Sequence, residues 1–340
     1  MTETATPVDL RPPGGRPSIA RQALGMVGRI DIVALMPYLY LIAFTTALYA
    51  ISPVLLTGTG SLDVRATAVL PLALVAFGQT LAIYTRGIDL SVGGILSTTT
   101  AIIATHSGAS GFSLFVLLVG VVGLAAVGGL VNGLVISFTR LQPFIVTLAT
   151  WSIWGGIAFV ILPVEGGSTP QPLVDALLGT VFGIPKSVIG VVVLFAIWFW
   201  VRDTRFVVDL KAIGSDESRA RLIGVRLVRR KIQVYVLSAM LASLAGIWVS
   251  AQTASGSPTA GDQFILNSVA AVVIGGASIY GGTGSAASSI IGAIVLLMIP
   301  DLVFALNLTS FWSVFFQGFL LIVTVTISSL VITYRESRSG

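Results

Sequence analysis

The sequence predicts an all-α integral membrane protein of about ten transmembrane helices, and three observations predict it. Only 10% of the 340 residues are charged and 55% are hydrophobic, where an ordinary soluble domain carries about 25% charged residues; mean hydropathy is +0.98. The charges stand between long uncharged stretches, each of a length to hold one apolar helix or two. The basic residues gather on one side of the layer these stretches define.

Taken in order, residues 1–31 are polar and rich in Pro and Gly, with no small-residue cleavage site before an apolar core. They read as a cytoplasmic N-terminal tail and not as a cleaved signal peptide. Transmembrane helices are expected over 32–51, 67–85, 91–106, 112–136, 144–162, 185–202, 233–251, 264–280, 285–305 and 311–333. The uncharged run 90–139 holds two of them, divided at Ser107-Gly-Ala-Ser-Gly111. The run 263–300 holds two more, divided by glycines 275, 276, 281, 282 and 284. Gly275-Gly276 leaves 264–280 open between a full crossing and a re-entrant segment. The short sixth helix lies between Lys186 and Arg202, whose side chains snorkel. The transmembrane domain thus covers 32–333, with a second cytoplasmic tail over 334–340.

With the N-terminus in the cytoplasm, 17 of the 19 basic residues lie inside and only Arg65 and Lys186 lie outside. This sets the orientation and explains a pI near 9.8 without a nucleic-acid partner. The chain has no cysteine, which removes disulfides, thiolate nucleophiles and Cys-ligated metals. One histidine, His106, leaves little for a metal site, and none is expected. No G-x-x-x-x-G-K-[ST] loop is present, so the chain lacks the usual cradle for nucleotide phosphates. No cofactor is expected on it, and any energy source must lie elsewhere.

Between the sixth and seventh helices, 203–231 is the most charged segment. Within it Gly214-Ser-Asp-Glu-Ser-Arg-Ala-Arg-Leu-Ile-Gly224 has the punctuation of a helix of about two turns: Ser215 or Asp216 to cap its first amides, acids early, Arg219 and Arg221 late, and Gly224 for the left-handed position after its end. So short a helix needs something to dock on. On composition alone the segment reads first as a solvated basic loop obeying the topology rule.

Four motifs in order carry a resemblance. Phe77-Gly-Gln-Thr-Leu-Ala-Ile with Gly87-Ile-Asp-Leu-Ser-Val92, Asn132-Gly133 with Pro143-Phe-Ile-Val-Thr-Leu148, Ala212 to Val225, and Ala270-Ala-Val-Val-Ile-Gly-Gly276 with Gly281-Gly-Thr-Gly-Ser285 together resemble the ribose-type (sugar) permeases of ABC importers, in the superfamily of branched-chain amino acid and ribose-type membrane subunits. The resemblance runs from about residue 67 to 300. It implies a type II ABC importer-like bundle in a bacterial cytoplasmic (inner) membrane, and a subunit that translocates a pentose-like sugar or a polyol by alternating access.

The resemblance also implies partners: an ATP-binding cassette ATPase that carries the ATP, an extracytoplasmic solute-binding protein, a second permease copy or paralogue, the sugar, and membrane lipid. It makes 203–231 a coupling loop and implies ATPase-coupling roles for Gly214, Asp216, Arg219, Ala220 and Gly224. Gly87, Asp89 and Ser91 form a motif at the cytoplasmic rim. The chain departs from the family pattern at Arg86, where glycine is usual, at Asp216 for Asn, at Arg219 for Ala, at Ile223 for Ser, at Ile265 and Asn267 in place of E-L-D, and at Thr283 for a frequent arginine.

Uncharged polar residues inside the expected helices are candidates for the translocation pathway: Gln79, Thr80, Asn132, Thr147 and Asn267. Such groups need hydrogen-bond partners in lipid, either on a neighbouring helix or in a wet path. Amides and hydroxyls without fixed charge suit an uncharged polyhydroxylated solute. Thr98-Thr-Thr100, Trp151 and Trp154 offer further contacts or plain packing. Gly129 and Gly133 form a G-x-x-x-G for close helix approach, Asp89 stands in reach of a local ion pair with Arg86, and Asp301 is expected at the outer interface. The alternatives are a branched-chain amino-acid permease of the same superfamily, an ion-coupled secondary transporter, which would normally use intramembrane carboxylates, and, with least support, a membrane enzyme.

Overall fold

The computed structural model describes residues 32–58, 61–139 and 141–339; the expected tail over 1–31 lies outside them. In chain order the helices are α1 (Ile32–Ile51), α2 (Pro53–Thr57), α3 (Ser61–Tyr84), α4 (Ser91–Ala104), α5 (Gly111–Phe138), α6 (Pro143–Ile161) and α7 (Gln171–Leu177). A two-residue hairpin, β1 (Thr180–Val181) and β2 (Ile184–Pro185), leads to α8 (Lys186–Val201), α9 (Arg205–Ser215), α10 (Glu217–Leu222), α11 (Leu227–Thr253), α12 (Asp262–Ile274), α13 (Ala286–Ala305) and α14 (Phe311–Ser339). The last helix runs on through 334–339, into the stretch read as a C-terminal tail.

Apolar helices stand at all ten expected positions, and length and composition alone account for fewer than ten full crossings. Among the described residues five are long and apolar enough to span a membrane: Asp63–Tyr84, Gly111–Phe138, Pro143–Ile161, Leu227–Thr253 and Ala286–Ala305. Counting α8 and α9 as one broken helix, bent by 78°, makes six. The shortness of two of the helices, α4 and α12, has a local cause. α12 stops at Ile274 because Gly276 takes a positive φ of 78°. α4 begins only at Ser91, after an irregular turn at 85–90. At about 1.5 Å per residue each reaches roughly 20 Å, short of a hydrocarbon layer near 30 Å. Their irregular ends are tolerable because protein and not lipid surrounds them: 13 of the 14 residues of α4 are buried.

α4 forms the centre, enclosed by α6, α11 and α12, while α11 packs along α5 and α3. The α5–α11 crossing depends on the G-x-x-x-G. A Cβ on Gly129 would meet the Tyr235 carbonyl and Val236 Cα, and one on Gly133 would meet Ile232 Cα. We expect Gly129→Leu to destabilise the bundle by about 3 kcal/mol, since the obstacle is backbone and cannot rotate away. Thermal unfolding in detergent measures this; an unchanged melting temperature would contradict the packing described here.

Hydroxyls stitch the buried helices together. Thr80 Oγ1 donates to Ser289 Oγ across α3 and α13 (2.9 Å), Thr99 Oγ1 to Ser243 Oγ across α4 and α11 (3.1 Å), and Thr98 Oγ1 to the Trp154 carbonyl across α4 and α6 (2.8 Å). At the end of the bundle away from the arginine-rich segment, Arg65 Nε pairs with Asp301 Oδ2 at 2.6 Å, and Arg65 also donates to the Leu55 carbonyl. Asp301 is thus held by the α3–α13 junction.

Candidate coupling site

The segment 203–231 is more structured than a charged loop. α9 is an amphipathic helix whose Val207, Leu210, Ile213 and Gly214 are buried. Asp216 then caps α10 by accepting from the Arg219 backbone N–H at 3.0 Å. α10 closes on Gly224, whose φ of 85° is the left-handed conformation that glycine adopts without strain. Its inner side is tied down: Ala220 is 1% exposed and packs with Ile213 and Leu227. Ion pairs from α11 hold both helices, Arg230 to Asp209 at 2.7 Å and Lys231 to Glu217 at 3.0 Å.

The base of this hook meets two other turns. Arg86, at φ 60°, donates from Nε to the Gly214 carbonyl (2.6 Å) and from Nη2 to the Ser215 carbonyl (2.8 Å). A positive φ is one that glycine adopts without strain, and the Arg86 side chain supplies two bonds that a glycine here would lack. Gly282 N donates to the Tyr84 carbonyl at 3.2 Å, and Tyr84 Oη to the Gly284 carbonyl at 2.9 Å. Gly214 sits in the middle. A Cβ there would run into the Tyr84 carbonyl and the Gly282 N–H. Turns 85–90 and 275–285 and the hook therefore share one junction, which adjoins the ends of α3, α4, α12 and α13.

Just beyond this junction, Asp89 is fully buried and does not pair with Arg86. Its Oδ1 accepts from the Ser91 N–H at 3.0 Å and the Ser91 hydroxyl at 2.5 Å, and Ser91 Oγ accepts from Asn132 Nδ2 at 2.9 Å. Gln79, its amide turned to satisfy both bonds, donates to the Asp89 carbonyl (3.0 Å) and accepts from the Asp89 N–H (3.2 Å). A Cβ on Gly87 would strike the Tyr235 hydroxyl. Gly87, Asp89 and Ser91 thus build a buried turn beside the junction at the arginine-rich end.

Of the five pathway candidates, Gln79, Thr80, Asn132 and Thr147 are 0% exposed and bonded within the bundle, Thr147 Oγ1 donating to the Ile88 carbonyl at 2.9 Å. Asn267 alone is partly exposed. Of the five coupling candidates, Gly214 and Ala220 face inward. Asp216 and Arg219 pair with each other at 3.1 Å, with Arg219 86% exposed, and nothing stands near Gly224. The outward apolar residues, which the sequence reading did not single out for docking, are Leu222 (87% exposed) and Ile223 (75% exposed).

Asp216's carboxyl is held below the usual aspartate range, first by the Arg219 N–H it accepts, then by the Ser218 N–H and the charges of Arg219 and Arg86. A depressed folded pKa contributes stability that is present above the unfolded pKa and is lost as pH falls through the folded value. Exchange protection of amides 217–222, corrected for intrinsic rates, should therefore be level from pH 7 down to the ordinary carboxylate range and fall below it. Asp216→Asn, which still caps, should remove that dependence, and Asp216→Ala should lose protection at every pH. Identical profiles in all three proteins would contradict the cap.

The family model for the branched-chain amino acid transport system permease component matches residues 61–325, which include the core helices and the junction. The chain belongs to this permease family. It is 34% identical to the ribose import permease protein of Escherichia coli (strain K12) over 263 residues, 76% of this chain and 82% of that one. To the ribose import permease protein of Bacillus subtilis (strain 168) it is 32% identical, over 74% and 79% of the two chains. To the fructose import permease protein of Rhizobium meliloti it is also 32% identical, over 76% and 74%. A solved metal-chelate type ABC transporter in an inward-facing conformation covers 88% of the chain at 15% identity and TM-score 0.43, too distant a likeness to inform the geometry. The permease is a membrane protein of the sugar-import type, and transport, not covalent chemistry, is the activity of its family.

Proposed function

We propose that this permease moves a sugar, pentose-like or a related polyol, inward across the bacterial cytoplasmic membrane by alternating access, driven by a separate ATP-binding cassette ATPase. The observation that carries the reading is the hook at 212–225. Its inner side is fastened to two turns of the bundle, and its outer side leaves Leu222 and Ile223 open to a partner. In this proposal the arginine-rich end is cytoplasmic, as the distribution of basic residues requires, and both termini lie on that side. An extracytoplasmic solute-binding protein delivers the sugar to the opposite end, and a second permease copy or paralogue completes the path.

The roles of Gly214, Asp216, Arg219, Ala220 and Gly224 divide accordingly. Gly214 and Ala220 transmit displacement into the bundle, Asp216 and Gly224 shape the hook, and Arg219 contributes to its docking face. Asn267 faces the path. Gln79, Thr80, Asn132 and Thr147 act on it through the helices they join. Differential contacts of the ATPase with the hook in its two states then bias the equilibrium between outward and inward openings.

Affinity purification from native membranes, followed by solute screening of any soluble receptor recovered, tests the proposal. An ATPase chain should co-purify, and the receptor should bind ribose, fructose or allose in preference to leucine. A leucine-selective receptor would favour the amino-acid reading, and purification of the permease with no ATPase would contradict ATP coupling.

A further inference from the structure

At the end opposite the arginine-rich segment lies a cavity of about 500 Å³, within the usual range for small-molecule sites. Thr100, Glu165, Ser257, Thr259, Asp262 and Gln263 are among its walls. Its frame is fixed by backbone bonds. Gly166 and Gly256 exchange two hydrogen bonds at 3.0 and 2.9 Å, Thr100 Oγ1 donates to the Ser257 carbonyl at 2.9 Å, and the Gly261 N–H donates to Ser97 Oγ at 2.9 Å. A Cβ on Gly256 would meet Ala104 Cβ and the Thr100 carbonyl. The loop after α6 and the turn before α12 are therefore clamped onto the top of α4.

The chemistry of the walls is selective. Glu165 accepts from the Ser257 hydroxyl at 2.6 Å, and neither Glu165 nor Asp262 joins an ion pair among the described residues. Carboxylates accept only, hydroxyls donate and accept, and the Gln263 amide does both at separate atoms. An anion would be repelled by the two carboxylates. Vicinal hydroxyls of an uncharged solute, each a donor and an acceptor, suit the mixture. Asn267 lies four residues beyond Gln263 on the same face of α12, its side chain partly exposed and without a hydrogen bond among the described residues.

We infer that this cavity is an outer entry subsite for a polyhydroxylated solute, held through vicinal hydroxyls by Glu165 and Asp262 and passed by Gln263 to Asn267. The inference deepens the sugar-import reading and rests on it. Because the chain contains no cysteine, Gln263→Cys gives a single thiol at the cavity wall. In membranes carrying the full chain with its partners, saturating ribose, fructose or allose should slow maleimide labelling of that thiol at least fivefold relative to leucine. Adding Glu165→Gln and Asp262→Asn should abolish the protection, and the same pair in the otherwise native chain should lower uptake of the protective sugar at least tenfold with ATPase and receptor still co-purifying.

Equal labelling with every sugar and with leucine, in membranes that accumulate a sugar, overturns the subsite and leaves the import reading standing. Loss of receptor from the Glu165/Asp262 variant overturns it too, since the cavity would then be a receptor contact. Membranes that accumulate none of these sugars overturn the import reading and the subsite together.

Discussion

Replacing Leu222 and Ile223 together by aspartate should abolish ATPase-dependent uptake while leaving the fold intact. Both side chains are largely in solvent, so their loss removes little packing from the permease itself. Burying two such side chains against a partner contributes about 3–6 kcal/mol, and a charge placed in that contact adds a desolvation cost. Attachment of the ATPase should weaken at least 100-fold, each factor of ten being about 1.4 kcal/mol. Co-purification measures attachment, and the melting temperature of the isolated permease should stay within about 1 °C of wild type. Retained attachment in a folded variant would move the docking face elsewhere on the hook.

Gly214→Val should produce the complementary result, an ATPase that still binds but no longer drives transport. The added Cβ would collide with the Tyr84 carbonyl and the Gly282 N–H, and backbone on both sides leaves no rotamer to escape into. Pushing α9 away breaks the two Arg86 bonds to Gly214 and Ser215 and opens the contact between Gly282 and Tyr84. Overpacking of this kind costs about 1–3 kcal/mol or more, and it falls on the junction while the outward face with Leu222 is spared. ATP hydrolysis by the assembled complex should persist while uptake falls at least tenfold. Normal uptake by a Gly214→Val permease would show that the junction does not transmit the stroke.

The apolar helices were legible because uncharged length is a global signal that no local contact overrides, and the G-x-x-x-G at Gly129 stated a close approach outright. The cap at Asp216 and the stop at Gly224 were legible for the same reason, each being a local backbone requirement. α9 was not singled out, although Val207, Leu210 and Ile213 recur every third residue; the charges among them gave the segment the composition of a solvated loop. Lengths failed where tertiary contacts set them. Gly275-Gly276 hinted at the early end of α12, whereas only the packing around Asp89 says that α4 begins inside protein. Asp89 was placed at a rim beside Arg86 because sequence spacing puts them near each other. The structure turns Arg86 outward to the carbonyls of Gly214 and Ser215, more than a hundred residues away, and buries Asp89 under Ser91. Leu222 and Ile223 were overlooked for docking because two apolar residues in a basic run make no periodic signal.

The central claim is that this permease has no power source of its own and is worked from outside through the hook at 212–225. Sealed vesicles containing the purified permease, with or without its ATPase and solute receptor, test it directly by uptake against a concentration gradient. We predict accumulation only when ATPase, receptor and ATP are all present, and none under an imposed proton or sodium gradient alone. Uphill accumulation by the permease without the ATPase would contradict the account.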